Sequence, residues 1–166
     1  MRYESIGIEP GGRSRRFCTF SLAGRLCGVD ILEVKEVNTE NRFTVVFHAP
    51  EEVKGFVNIR GGIHLILDLR KILGFDDGSA ANPGRLVLFK PAVGESFGVF
   101  VDGIEEVVEV DESCIETGNY LDRDLQGEDR TAEGEIISGV CRLDEALLLI
   151  INAGRLLRMV EKNLTQ

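Results

Sequence analysis

Basic residues are in short supply. The 166-residue chain has 19 Lys and Arg against 28 Asp and Glu, giving a formal net charge of −9 and a pI near 4.8. That balance argues against general attraction to nucleic acid or anionic lipid and favours a basic partner surface. Long apolar runs are missing too. Arg13, Arg15 and Arg16 precede nothing long enough for a signal peptide, and no stretch reaches transmembrane length, so the cytoplasm is the expected compartment. The four cysteines, Cys18, Cys27, Cys114 and Cys141, contain no C-x-x-C pair and read as buried, reduced thiols.

Catalytic groups are equally sparse. His48 and His64 are the only histidines, and neither stands at metal-ligand spacing from a Cys or carboxylate. His64 interrupts an apolar strand and reads as structural. No nucleophile elbow or phosphate loop occurs, since Arg60-Gly61-Gly62 is too little for either. The acidic pairs Glu51-Glu52, Asp76-Asp77 and Glu105-Glu106 read as solvated surface. No enzyme, cofactor or metal is expected.

What is present is a β-rich pattern, 43% hydrophobic, long enough for one compact unit or two very small ones fused. Residues 1–15, with Pro10-Gly11-Gly12, read as a flexible tail. From Arg16 the alternation of Cys18, Phe20 and Leu22 with Thr19 and Ser21, a turn at Ala23-Gly24, and apolar residues from Leu26 to Val29 predict a hairpin. After Asp30, a capped helical turn and a further strand both remain open. Ala49 to Gly55, with Pro50 in first position and acids behind it, predicts a short helix. Asp68 can cap Leu69 to Leu73, which Gly74 ends.

Residues 76–84 predict a loop, Arg85 to Lys90 and Phe97 to Val101 strands, and Asp111 to Glu135 a long acidic excursion. Leu147 to Ile151 is an apolar strand. Ala153, Leu156, Leu157, Val160 and Leu164 recur at helical spacing behind Asn152 and predict an amphipathic helix.

The second half echoes the first. Gly55, Ile59, Asp68, Ile72 and Leu73 return as Gly139, Leu143, Asn152, Leu156 and Leu157, each 84 positions later, and Val29-Asp30 returns as Val101-Asp102, 72 positions later. The pattern predicts two similar small β units, roughly 16–75 and 85–160, within one domain over 16–162, with strand exchange between units left open.

The echo isolates Arg60, whose counterpart is Asp144, while Gly61-Gly62 becomes Glu145-Ala146. The shared architecture therefore does not require arginine at that turn. A guanidinium stays charged and needs a carboxylate, an aromatic face or water. Two readings stand: an internal ion pair with Glu36 or Asp68, or a binding anchor.

At these residues the sequence resembles the CheW-like family of bacterial chemosensory coupling proteins. The resemblance runs through Phe17 to Leu22, Gly28-Val29-Asp30-Ile31, Glu33 to Val37, Val53 to Gly61, Leu67 to Arg70, Val99 to Gly103, and Ile137-Ser138-Gly139 through Leu157. It implies a mainly β fold of two small five-stranded SH3-like β barrels packed together, with short helices and a C-terminal helix. It implies a non-catalytic scaffold joining the cytoplasmic tip of a methyl-accepting chemoreceptor to the regulatory domain of a CheA-type histidine kinase. By position, Val34, Glu36, Gly55, Asn58 and Arg60 match the receptor-binding groove. Kinase contacts cannot be placed by motif. Leu65 in place of a common proline, Phe47-His48 before a single Pro50, and Asn152 in place of Asp depart from the family pattern. They keep open a CheW-like module of an auxiliary signalling complex, or a small-ligand barrel.

Overall fold

Alternating apolar residues from Ser14 onward form strands of two sheets that share one core. The computed structural model describes residues 3–6, 12–75, 83–117 and 136–164. Strands are β1 (Tyr3–Ile6), β2 (Ser14–Leu22), β3 (Arg25–Asp30), β4 (Val34–Asn38), β5 (Val53–Ile59), β6 (Gly62–Asp68), β7 (Arg85–Phe89), β8 (Phe97–Val101), β9 (Gly103–Asp111), β10 (Ile115–Glu116), β11 (Ile137–Arg142) and β12 (Leu147–Ile151). Two 3-10 turns, η1 (Ile31–Glu33) and η2 (Glu112–Cys114), and two helices, α1 (Leu69–Leu73) and α2 (Ala153–Leu164), complete the described elements.

One sheet has the order β4-β7-β8-β6-β5; the other runs β1-β9-β2-β3-β12-β11-β10. The chain therefore builds its middle into one barrel and its two flanks into the other. Each barrel joins its two hairpins through a parallel pair: β6 lies beside β8 with Ile66 opposite Gly98, and β12 lies beside β3 with Ile150 opposite Gly28. The two glycines are 70 positions apart, so the pairing registers the repeated hairpins two residues off the Val-Asp echo. The hairpins are exchanged: β2-β3 pairs with strands of the later half, and β7-β8 with strands of the earlier half.

The exchange fuses the barrels. Small clusters fill each one, Phe17, Val108, Val110, Cys141, Leu148 and Ile150 in the first, Val57, Ile59, Ile66, Leu86 and Leu88 in the second. The largest cluster takes residues from both sheets and both helices, including Phe20, Leu22, Val29, Leu67, Phe97, Val99, Leu149 and Leu156. Neither barrel could keep its outer face dry alone. A part-buried ion pair ties the same region. Arg70 donates to both carboxylate oxygens of Asp102 at 2.8 and 2.7 Å, and the Ala23 amide donates to Asp102 Oδ2 at 2.8 Å. The Asp-Leu-Arg stretch is thereby structural, with Asp68 capping α1 and Arg70 bracing it.

Several expectations are corrected. The helix expected over 49–55 is a single turn, closed by the Val53 amide on the Pro50 carbonyl at 3.0 Å. The cause is strand pairing: Val53 already opposes Leu67, so the chain is extended before a second helical turn can form. The flexible tail expected over 1–15 contains β1, paired parallel to β9, and β2 begins at Ser14. Strand β9 itself carried no clear alternation. Both open readings after Asp30 occur in sequence, since Asp30 caps η1 and β4 follows. Most of the expected loop and much of the acidic excursion, residues 76–82 and 118–135, lie outside the described residues. Cys18, Cys27 and Cys141 are buried free thiols, and burial pushes Cys27 up to about 12, far from thiolate chemistry.

Candidate functional site

Strands β5 and β6 meet at a two-residue turn, Arg60-Gly61, with Ile59 opposite Gly62. Arg60 has φ +50° and Gly61 φ +83°, so both central residues are left-handed, the geometry that matches the twist of a tight hairpin. Glycine accepts this freely. Arginine does not, and its placement costs about 1 kcal/mol. The Asn58 side-chain oxygen accepts the Gly61 amide at 2.9 Å, fixing the turn from the strand beneath it.

The Arg60 guanidinium donates to Glu36 Oε2 on β4, and the Asn38 amide reaches Glu36 Oε1 at 3.5 Å. Bonding from Arg60 holds the Glu36 carboxyl below the usual range. The internal partner left open by the sequence is thus Glu36, and Asp68 serves as a helix cap instead. Arg60 nevertheless keeps 71% of its side chain exposed, against 21% for Glu36. The pair is a positioned charge at the surface and adds little stability.

Of the five residues matched by resemblance, the structure brings Glu36, Asn58 and Arg60 together around the turn. Gly55 lies away from the turn, opposite Ile66 at the far end of β5, buried and at φ +145°, where a Cβ would stand 2.6 Å from the Thr44 carbonyl oxygen. Thr44 and Phe56 exchange two main-chain bonds there, so Gly55 permits the contact that joins the β4 segment to β5. Val34 is half-buried and packs against the shared core. Sequence reasoning missed the surface beside Val34. Exposed Leu32 borders a cleft of about 390 Å³ whose other walls include Glu33, Lys90, Val93, Leu157 and Arg158. Only the exposed leucine in a capped turn could have signalled it.

His64 is buried, with Nδ1 3.1 Å from the Gly62 carbonyl oxygen, a hydrogen-bonded structural histidine. Among the described residues no cluster of His, Cys, Asp or Glu is arranged to hold a metal, and no helix is long and apolar enough to cross a membrane.

The CheW-like domain matches residues 16–161. The chain belongs to the CheW-like domain family. It is 27% identical over 158 residues to the chemotaxis protein CheW of Klebsiella aerogenes, covering 95% of this chain and 86% of that protein. It is 24% identical over 153 residues to a probable chemotaxis protein CheW of Rhizobium etli, covering 91% of each. Among solved structures, the scaffolding protein TtCheW from Thermoanaerobacter tengcongensis superposes with a TM-score of 0.70 at 28% identity, over 84% of this chain and 90% of that one. The mainly β architecture of two small barrels with few helices matches that CheW-like scaffold.

Proposed function

We propose that this CheW-like chain is a non-catalytic chemotaxis scaffold that couples the cytoplasmic tip of a methyl-accepting chemoreceptor to the regulatory domain of a CheA-type histidine kinase. The observation that carries the receptor assignment is the Arg60 turn. A charged residue stands in left-handed geometry, exposed, at a hairpin whose counterpart in the other half does without it. Receptor tips are helical. One helix face can lie along the exposed Leu32 cleft and Val34 while the Glu36–Arg60 pair fixes its register through charge. Signalling then consists of different contacts in two states of an assembly, with no chemical step in this chain. The scaffold works in the cytoplasm, drawn to membrane-bound receptor arrays by its partners.

Co-sedimentation with receptor-bearing membranes and kinase tests this. The chain is expected to pellet with both and to make kinase activity receptor-dependent. A chain that stays in the supernatant with receptor and kinase present contradicts the coupling role and favours an auxiliary complex, to which the 86% exposed Phe47 draws attention.

A further inference from the structure

The two barrels protect their matching edge strands by different means. Strand β4 lies at the edge of its sheet, is five residues long, exposes Lys35, and shifts register between Val34 and Glu36. Shortness, an outward lysine and a bulge are the usual defences of an open edge. Strand β9 occupies the corresponding place, pairing with β2 as β4 pairs with β7. Its own register shift against β2 lies ahead of Val107, between Ile104 and Val107, and the segment Val107-Val108-Glu109-Val110 beyond it has neither lysine nor bulge, with all three valines buried. Uncovered, a nine-residue strand with such a segment would be a template for another chain.

Its cover is β1. Tyr3, Glu4, Ser5 and Ile6 pair in parallel with Val107, Val108, Glu109 and Val110, and among the described residues β1 has no other strand neighbour. Ile6 stands level with Val110, and Ser14 with Asp111 two strands away. Two strand spacings amount to about 10 Å. Residues 7–13 could span about 23 Å if extended, so the link leaves slack for β1 to leave without moving β2.

We propose that the outer edge of β9 is a strand-accepting docking site and that the segment Tyr3–Ile6 is its built-in, detachable occupant. A protein partner that offers an extended segment in parallel competes with this strap for the same main-chain groups. The site is separate from the Arg60 turn and belongs to the other barrel.

The test uses the full chain carrying Glu4→Pro or Ser5→Pro. Adjacent residues of a strand direct their amides to opposite sides, so one of the two removes a bond to β9 while the other barrel contacts stay intact. Amide exchange is read across Val107–Val110 by NMR, with a synthetic peptide of residues 1–9 as probe. In at least one variant the β9 amides facing β1 are expected to exchange about tenfold faster or more, while those facing β2 stay protected. The peptide is expected to restore protection to that variant and to leave the unaltered chain unchanged, because its own strap is present at high effective concentration. Protection unaffected by both prolines, or a peptide that restores nothing, overturns the proposal. Loss of protection on the β2 side as well would show an integral strand and also overturn it.

Discussion

The turns at Arg60-Gly61 and Asp144-Glu145 close equivalent hairpins and differ in almost everything else. Both span two residues: Ile59 opposes Gly62, and the Leu143 amide donates to the Ala146 carbonyl oxygen at 2.8 Å. The first is left-handed at both central residues and is held by Asn58, with its arginine tied to Glu36. The second has no positive φ at Asp144 or Glu145, and both are exposed acids. The fold therefore asks for a tight connection and is indifferent to its charge. An arginine that costs backbone energy and adds little stability at such a site motivates the proposed role for it in contacting a partner.

A second arginine marks the other extreme. Arg70 and Asp102 are each 14% exposed and joined by two bonds across the shared core. Arg70→Ala leaves the part-buried Asp102 carboxylate without its cation, though still bonded by the Ala23 amide, and is expected to cost about 3 kcal/mol in denaturant unfolding. A loss near zero would mean that the barrels are not braced there. Smaller effects separate the two turns. At Gly61 a Cβ meets nothing within 4 Å, so Gly61→Ala is expected to cost only the left-handed backbone term, about 1 kcal/mol, whereas Glu145→Ala should stay within about 0.5 kcal/mol. Equal costs would erase the conformational difference.

The smallest effect is electrostatic. The folded Glu36 carboxyl titrates below its unfolded value because Arg60 bonds to it. The pair's contribution is thus complete above the unfolded value and is lost as pH falls through the folded one. An NMR titration should place Glu36 below an ordinary glutamate, and Arg60→Ala should return it upward. An unmoved midpoint would remove the pair from solution.

The sequence carried the β-rich architecture because alternation, the capped turns at Asp30 and Asp68, and the echo between halves all point one way. Hairpin exchange could be left open but not assigned, since pairing partners depend on packing between distant segments. Strand β9 was hidden because Glu105, Glu106 and Glu109 interrupt it and the adjacent Val107 and Val108 are both buried, which breaks the period of two. Strand β1 was hidden because four residues supported from one side leave no pattern. At the site, Arg60 was legible as a charge the repeat did not need. The burial of Gly55 under Thr44 and the cleft beside Leu32 were not, because both depend on residues brought together by folding.

The central claim is that Arg60 contacts a receptor and Asp144 does not. Calorimetric titration of a receptor-tip fragment into the unaltered chain, Arg60→Ala and Asp144→Ala tests it directly. The account predicts binding about tenfold weaker or worse for Arg60→Ala, with unfolding stability within about 1 kcal/mol of the original, and no change for Asp144→Ala. Equal affinity for all three chains would contradict it.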